Sequence, residues 1–428
     1  MSVQKICVLG LGYIGLPTAS TFATHGLQVV GVDVNPQVVD HLQNGRLHIH
    51  EPGLRTLVQA ALHSGNLKIC PMPEPADAFI IAVPTPFREE KLADMQYVIR
   101  ATESIVPHLR PGNLVVLEST SPPRTTSGLV APILERSGLK AGVDFHLVYS
   151  PERVLPGKIL QELIENARVI GGIDAASAEA GRELYALFVR GQIILTSATT
   201  AEMVKLMENT YRDVNIAIAN EFSRLADRFG VDVWEAIAIA NLHPRVNILK
   251  PGPGVGGHCI SVDPWFLVEA APDLSSLIRT ARQVNDDQPE YVVSLVKRAL
   301  GSHDLHGRSI CALGLAYKAD VDDLRESPAI EIAHRLTACG AQVRAYEPFK
   351  RDAQVDGLKL APSLPGAIAQ AEALLLLVAH TELARLNPLE VARHTPARIV
   401  IDATGSWSRA AWEAAGFTVW TVGVGSTS

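Results

Sequence analysis

The sequence predicts an α/β protein with two Rossmann-like, doubly wound parallel-sheet domains joined by a central helical segment. An apolar run near the start leads into a glycine-rich turn, and a similar pattern recurs after residue 302. The stretch between the two copies lacks alternating strands and carries the spacing of one long helix. Since 428 residues exceed one ordinary core, we expect three domains, at residues 1–196, 197–301 and 302–428.

The first copy alternates apolar runs with helical stretches. Residues 5–10 (KICVLG) form the continuous apolar run of a buried parallel strand. A helix is expected over 16–25, ended by Gly26, and a second strand over 28–32. Further strands are expected at 78–83, 114–118 and 146–149. Strands alternating with helices predict a parallel sheet.

The second copy repeats these features. Residues 308–314 (RSICALG) parallel 5–10, and 340–343 (GAQV) parallel 26–29 (GLQV). Apolar runs at 374–380 and 398–405 then correspond to the third and fourth strands. The glycine turn of this copy is degenerate and reads GLAYK.

A long helix is expected over residues 201–229. Its apolar residues recur at helical spacing over about seven turns: Met203, Met207, Tyr211, Val214, Ile218, Phe222 and Leu225. Periodicity alone leaves two interpretations open. The helix is either a spine and dimer interface or an element buried within one core.

Composition narrows the class of protein. The net charge of −7, without a basic block, argues against binding to nucleic acid or anionic membranes. The five cysteines include no CxxC pair, which argues against a disulfide framework and a zinc site. The N-terminus shows no signal peptide, and no apolar stretch is long enough to span a bilayer. We expect a metal-free protein in the reducing cytoplasm.

The glycine turn predicts a dinucleotide cofactor. Gly10 permits a tight turn, Gly12 lets a pyrophosphate approach the backbone, and Gly15 lets the helix pack on the strand. The helix N-terminus favours the phosphates. Asp33, at the end of the second strand, can accept ribose hydroxyls and would repel a 2′-phosphate, which favours NAD over NADP. FAD uses the same turn and is the main alternative.

A cysteine in a second glycine-rich loop suggests covalent chemistry. Cys259 lies within PGPGVGGHCISVDP, residues 251–264, where glycines allow backbone amides to crowd around a ligand. Such amides would lower the thiol pKa from about 8.5 and yield a nucleophile. The alternative is a small buried hydrophobic residue, and the spacing favours neither.

Other polar residues extend this candidate site. Lys205 and Asn209 lie four apart on the predicted long helix and suit an oxyanion, although a solvated face is equally compatible. Thr120 and Glu152 follow predicted strands, where doubly wound sheets bind ligands. Asp263 could steer a water or hold the lysine.

Taken together, these segments resemble the UDP-glucose/GDP-mannose dehydrogenase family over nearly the whole chain. The matching motifs are GLGYIGLP, ESTSPPRTT, SPERVLPG, the Lys205–Asn209 pair, GVGGHCISVDP and GLAYK with DDLRESP. The resemblance implies four-electron oxidation of a UDP-sugar at C6 to the uronic acid, with two NAD and one water. Cys259 would form a thiohemiacetal and then a thioester. PERVLPGK, HPRVNIL and GGHCISVDPWF favour UDP-N-acetyl-D-mannosamine, followed by UDP-N-acetylglucosamine and UDP-glucose.

The same resemblance implies a role for each matching position. The catalytic residues would be Cys259, Lys205, Asn209, Asp263, Glu152 and Thr120. The cofactor residues would be Gly10, Gly12, Tyr13, Ile14, Gly15, Asp33, Thr85, Thr120 and Arg325. The substrate residues would be Arg153, Val154, Lys205, Asn209, Arg212, His243, Arg245, Gly256, Tyr317 and Lys318. Members of the family are homodimers or larger. One departure is Val38, where the family usually has an arginine five residues after the acidic ribose ligand.

Two other classes compete with this interpretation. A two-electron hydroxyacid-type dehydrogenase needs only a Lys/Asn pair, and Cys259 and the second α/β domain argue against it. A non-catalytic NAD-binding protein would not need Lys205, Asn209, Cys259 and Asp263 together.

Overall fold

The computed structural model describes residues 3–49, 51–88, 91–257 and 259–425. The chain folds into two compact units, each built around one sheet. Unit one contains the residues up to 208 together with 265–272, and unit two contains 209–264 and the residues from 273 onward. The predicted central segment is therefore divided between the units.

The sheet of unit one has eight strands in the order β3-β2-β1-β4-β5-β6-β7-β8. Neighbouring strands are parallel except for β6 and β7, which pair antiparallel and depart from the predicted all-parallel sheet. The strands are β1 (Lys5–Leu9), β2 (Gln28–Val32), β3 (Leu67–Cys70), β4 (Ala78–Ile81), β5 (Leu114–Leu117), β6 (His146–Tyr149), β7 (Arg168–Gly172) and β8 (Ile193–Ser197).

The helices of unit one cover both faces of this sheet. They are α1 (Gly15–Thr24), α2 (Pro36–Gln43), α3 (Leu54–His63), α4 (Gln96–Ile105), α5 (Ala131–Leu134), α6 (Ile159–Glu165) and α7 (Ala175–Tyr185). Ile6 and Val8 of β1 belong to one apolar cluster, whereas Cys7 and Leu9 belong to another. Because successive strand residues point to opposite faces, the sheet is buried on both sides, which explains the continuous apolar run in the sequence.

The sheet of unit two has six parallel strands in the order β11-β10-β9-β12-β13-β14. They are β9 (Ser309–Leu313), β10 (Gln342–Tyr346), β11 (Lys359–Leu360), β12 (Ala373–Leu376), β13 (Ile399–Asp402) and β14 (Thr418–Thr421). This order repeats that of the first six strands of unit one. The predicted fold class of two Rossmann-like domains is confirmed.

A 32-residue helix, α8 (Ala198–Phe229), begins in unit one and ends in unit two. It starts three residues before the predicted helix and ends at the predicted residue. At 1.5 Å per residue it is about 48 Å long. The remaining helices are α9 (Val233–Ala240), α10 (Asp263–Ala270), α11 (Ser276–Asp286), α12 (Gln288–Ala299), α13 (Pro328–Ala338), α14 (Leu364–Ile368), α15 (Thr381–Ala384), α16 (Pro388–His394) and α17 (Arg409–Ala414).

None of the helices formed by the described residues is both long and apolar enough to cross a membrane. The helix α8 is long, but its mean hydropathy is slightly negative because charged and polar residues are interspersed among the apolar ones.

Candidate active site

Four candidate residues lie just after the carboxyl ends of adjacent strands in unit one. Asp33 follows β2, Thr85 follows β4, Thr120 follows β5 and Glu152 follows β6. In the sheet, β2 and β4 lie on either side of β1, and β5 and β6 follow β4. Because these strands are parallel, their carboxyl ends lie along one edge of the sheet. The structure therefore brings these four predicted residues to the edge where doubly wound sheets bind ligands.

The glycine turn between β1 and α1 has the geometry that a dinucleotide requires. Gly10 has φ of +92°, and a Cβ there would lie 2.5 Å from the Ala82 carbonyl oxygen. A Cβ on Gly15 would lie only 1.8 Å from the Gly10 carbonyl oxygen, so helix and turn are in direct backbone contact. A Cβ on Gly12 would meet no protein atom within 4 Å. The space beside Gly12 is thus left for a ligand.

The surroundings of this turn fit a pyrophosphate and a ribose. Helix α1 begins without a side-chain cap and without an acidic residue in its first turn, so no carboxylate there opposes a phosphate. The Asp33 carboxylate accepts hydrogen bonds from the backbone nitrogens of Leu11 (3.0 Å) and Asn35 (2.9 Å). These bonds hold the half-buried carboxylate beside the turn, where it can accept ribose hydroxyls.

The corresponding turn in unit two has an acidic residue where unit one has Asp33, but no helix follows the turn directly. Glu347, at the end of β10, accepts hydrogen bonds from the backbone nitrogens of Leu315 (2.7 Å) and Ala316 (2.9 Å). Burial opposes its ionisation, but these bonds and one from buried His380 outweigh it and lower the pKa of the Glu347 carboxyl. Residues 314–327, which include this turn, separate β9 from the next helix, α13. The turn of unit two therefore lacks the adjoining helix N-terminus that favours phosphates in the turn of unit one.

The Val38 side chain is half-buried and packs against the apolar core beneath α2. The family's arginine at this position is thus replaced here by a core residue. Val38 itself offers no charge to a bound adenosine.

The Glu152 carboxylate is held at both oxygens. Its Oε1 accepts from the backbone nitrogen of Arg153 (2.9 Å), and its Oε2 accepts from the Arg168 guanidinium (2.9 Å). The Arg153 guanidinium in turn donates to Glu208 (3.0 Å) and to the carbonyl oxygen of Ala167 (3.0 Å). The sequence pattern missed Arg168, although a charged residue opening an otherwise apolar strand was a usable signal.

In unit two, the structure brings Asn209 and Asp263 together. The Asn209 Nδ2 atom donates to an Asp263 carboxylate oxygen over 2.5 Å, and both residues are buried. Lys205 lies one turn earlier on α8 and is half-buried, so Lys205 and Asn209 share one face of that helix.

Cys259 is exposed, so it is not the buried hydrophobic residue of the alternative interpretation. Its carbonyl oxygen accepts from the backbone nitrogens of Val262 (3.1 Å) and Asp263 (2.8 Å), which places it in the turn just before α10. The preceding Gly257 has φ of +82°, and a Cβ there would lie 2.7 Å from the Tyr317 ring. The glycines therefore allow this loop to pack against a second predicted site residue, Tyr317.

Two buried polar residues that the sequence pattern missed anchor the same loop. Asn220 of α8 accepts from the backbone nitrogen of Gly252 (2.9 Å), and Gln288 of α12 donates to the Gly252 carbonyl oxygen (3.0 Å). Both side chains are fully buried. No sequence signal pointed to either residue, since Asn220 lies on the side of the predicted helix opposite its apolar residues and no helix was predicted around Gln288.

The remaining predicted substrate and cofactor residues lie in different settings. Arg212, His243 and Arg245 are exposed, and Lys318 is half-buried. Val154 packs against the core of unit one. Arg325 pairs with Asp323 at 2.6 Å. Within the described residues, no group of three or more His, Cys, Asp or Glu side chains could hold a metal ion.

The first Rossmann-like domain and its glycine turn define an NAD-binding protein of the dehydrogenase type. Comparison with protein families agrees with this class, since three domains of one family match successive parts of the chain. The NAD-binding domain of the UDP-glucose/GDP-mannose dehydrogenase family matches residues 4–189, its central domain 199–287 and its UDP-binding domain 311–409. The chain belongs to this family and is an NAD-dependent oxidoreductase acting on UDP-sugars.

Individual relatives are similar over almost their full length. UDP-N-acetyl-D-mannosamine dehydrogenase of Methanocaldococcus jannaschii is 46% identical, over 99% of this chain and 98% of that protein. NDP-N-acetyl-D-galactosaminuronic acid dehydrogenase of Ralstonia solanacearum is 49% identical, over 95% of this chain and 96% of that protein. The solved UDP-D-ManNAc dehydrogenase of Pyrococcus horikoshii has a TM-score of 0.91 at 40% identity, covering 98% of this chain and 99% of that chain.

Proposed function

We propose that the protein oxidises UDP-N-acetyl-D-mannosamine at C6 to UDP-N-acetyl-D-mannosaminuronate. The alcohol, two NAD⁺ and one water become the carboxylate, two NADH and three protons. The observation that carries this proposal is the exposed Cys259 in the turn just before α10, in a loop packed by glycines. A two-electron alcohol oxidation does not need a nucleophile, whereas oxidation of an aldehyde by hydride loss needs an adduct.

The chain's own residues would act in sequence. Lys205 removes the proton of the C6 hydroxyl as the alcohol is oxidised to the aldehyde. The Cys259 sulfur then bonds to C6 as the carbonyl π bond opens and the thiol proton passes to the oxygen, giving a thiohemiacetal. Loss of a hydride from C6 and of the hydroxyl proton then yields a thioester. Water cleaves the thioester, releasing the carboxylate and the free thiol. When bound, NAD supplies the hydride acceptor for each of the two oxidations.

Lys205 and Asn209 would stabilise the oxyanions with one charged and one neutral donor. An amide nitrogen has two hydrogens, and the Asn209 amide uses one for Asp263. Its orientation is thereby fixed, and the second hydrogen can donate to the substrate oxygen. Thr120, Glu152 and Asp263 would organise the water and its protons.

The binding residues are proposed on the same basis. The dinucleotide would be held by Gly10, Gly12, Tyr13, Ile14, Gly15, Asp33, Thr85, Thr120 and Arg325. The UDP-sugar would be held by Arg153, Val154, Lys205, Asn209, Arg212, His243, Arg245, Gly256, Tyr317 and Lys318. We also propose the division at residues 1–196, 197–301 and 302–428, and a reducing cytoplasmic setting, consistent with five free cysteines.

The sugar can be tested directly. Relatives of similar identity are named for N-acetyl-mannosamine and for an N-acetyl-galactosamine derivative. We expect kcat/KM for UDP-N-acetyl-D-mannosamine to exceed that for the UDP forms of N-acetylglucosamine, N-acetylgalactosamine and glucose by at least about 100-fold. A misplaced or missing acetamido group, or a misplaced hydroxyl, leaves buried polar groups unpaired, which makes discrimination of this size attainable. NADH formation with each purified sugar measures it, and a higher kcat/KM for any of the other three would overturn the assignment.

We further propose a homodimer through the end of α8. Phe222, Leu225 and Phe229 of this helix are 40%, 43% and 72% exposed. They line an open apolar groove of about 290 Å³ together with Ala226, Val231, Val233, Ala236, Ile237, Ala240 and Ile248. Apolar surface of this kind on a soluble enzyme is typical of an interface.

Phe229→Glu is therefore expected to weaken self-association by at least about 100-fold. A two-fold interface would bury two carboxylates, one from each subunit, and burying unpaired charge is costly. Sedimentation equilibrium measures the change. Leu274→Glu, at a residue that is 82% exposed in the same unit, is the matched control. A monomeric wild-type protein, or an unaltered Phe229→Glu dimer, would contradict this interface.

A further inference from the structure

The Glu152 carboxylate contacts a buried arginine, Arg168, whose three guanidinium nitrogens all donate hydrogen bonds. Arg168 opens β7 and is only 4% exposed. Its Nη1 donates to Glu152 (2.9 Å), its Nη2 to Glu118 (2.7 Å) and its Nε to the Ser150 hydroxyl (3.0 Å). A buried charge is costly unless it is fully paired, so this geometry is tightly specified.

The second carboxylate of the cluster, Glu118, follows β5 and is 3% exposed. Its Oε1 also accepts from the Tyr185 hydroxyl (2.6 Å), and the Tyr185 ring lies 3.8 Å from the Arg168 guanidinium carbon. Its buried Oε2 has no hydrogen-bond partner among the described residues. Glu118 and Glu152 thus share one guanidinium.

We propose that Arg168 and Glu118 are positioning residues that hold the Glu152 carboxylate in its working orientation and set the charge it experiences. The inference rests on the proposed role of Glu152 at the catalytic water. Both residues are too deeply buried to meet a sugar, and act through Glu152. Arg168 fixes the direction of one Glu152 oxygen, and Glu118 determines how much of the guanidinium charge is left for Glu152.

The charge balance of the cluster makes this control dependent on pH. Burial raises the pKa of the Glu118 carboxyl to about 7, against the opposing effect of Arg168. The Oε2 atom can take the proton without loss of the existing hydrogen bonds. Within the described chain, the charged and titratable groups that face Glu118 are Arg168 of β7, Glu152 of the loop after β6 and Tyr185 of α7.

Below about pH 7 Glu118 is neutral, and Arg168 pairs fully with Glu152. Above that pH Glu118 is ionised, shares the guanidinium and repels the second carboxylate. Less of the Glu152 charge is then neutralised, so its oxygens attract the proton of the catalytic water more strongly. The rate of the proposed hydrolytic step should therefore rise with pH through neutrality.

Glu118→Gln tests this directly, because glutamine keeps an acceptor for Arg168 and Tyr185 but cannot titrate. Thioester hydrolysis is followed in single-turnover experiments between about pH 6 and pH 9. The variant-to-wild-type rate ratio is expected to fall about threefold across that range, a modest part of the effect of one general base, because only the wild-type protein gains a charge at residue 118 above about pH 7.

Arg168→Lys tests the orientation, since an ammonium cannot reproduce the forked contact with two carboxylates. We expect kcat to fall at least tenfold with the NAD dissociation constant unaltered. Arg182→Lys, at an exposed arginine of α7 that pairs with Glu179, is the matched control and should retain wild-type kcat. Melting temperatures identify any variant that fails to fold. If Arg168→Lys does not fold, the pH profile of Glu118→Gln alone tests the inference.

Glu152→Gln separates this inference from the proposed function. Wild-type kcat in Glu152→Gln would overturn the role of Glu152 itself. A second outcome would overturn the inference while leaving the role of Glu152 intact. In it, Glu152→Gln has a lowered kcat, but Glu118→Gln keeps the wild-type pH profile and folded Arg168→Lys keeps the wild-type kcat. The inference is supported if the rate ratio of Glu118→Gln to the wild type falls with pH and Arg168→Lys has a lowered kcat.

Discussion

Replacing Cys259 with alanine is expected to reduce uronic acid formation by at least about 10⁴-fold, a loss typical of removing a catalytic nucleophile. Without the thiol, an aldehyde at C6 has no covalent adduct on the enzyme from which a second hydride could leave. The dinucleotide turn of unit one does not involve Cys259, so NAD should bind with wild-type affinity. Anion-exchange chromatography of the sugar products and a fluorescence titration with NADH measure these two quantities.

Cys339→Ala is the matched control, because Cys339 is also a free cysteine of unit two but lies next to α13, outside the glycine-rich loop. It should form the acid at the wild-type rate. An undiminished rate of acid formation in Cys259→Ala would exclude the covalent mechanism. Loss of NADH binding in that variant would show instead that the substitution had disturbed the fold.

Gly15→Ala is the second substitution with a large expected effect. The added Cβ would lie 1.8 Å from the Gly10 carbonyl oxygen, and both partners belong to the backbone of a tight turn. The turn or the start of α1 must therefore shift, at a cost of about 3 kcal/mol or more, which is the range of severe local strain. We expect a clearly lowered melting temperature and an NAD dissociation constant raised at least about 100-fold.

Two other glycines provide controls in the same unit. A Cβ on Gly12 or on Gly128 would meet no protein atom within 4 Å. Gly128→Ala should therefore leave both stability and NAD binding unaltered. Gly12→Ala should melt like the wild type without NAD but bind NAD more weakly, since Gly12 faces the proposed pyrophosphate. Wild-type melting and NAD binding in Gly15→Ala would contradict the described turn.

Sequence patterns predicted the parts of the fold that depend on local chemistry. The apolar runs located β1, β2 and β6 closely because both faces of a parallel sheet exclude water. The strands β8 and β11 escaped prediction for the opposite reason. The residues of β8 are largely exposed, and β11 has only two residues. The apolar run of β8 is only three residues long, Ile193 to Leu195, and β11 leaves none.

The candidate site was predictable only in part. The glycine turn and Cys259 were recognised from their neighbours along the chain. The contact of Arg168 with Glu152 depends on the antiparallel pairing of β6 and β7, which no local pattern encodes. Likewise, GLAYK showed that the second glycine turn is degenerate. That Glu347 occupies its amides follows only from the packing of β10 beside β9.

The central claim is that one polypeptide carries out both oxidations of the sugar while Cys259 holds the intermediate. The most direct test is the number of NADH molecules formed per UDP-N-acetyl-D-mannosamine consumed, measured at limiting sugar by absorbance and by quantitative chromatography of the sugar nucleotides. The mechanism predicts a ratio of two, with the uronic acid as the product. A ratio of one, with an aldehyde as the product, would contradict it.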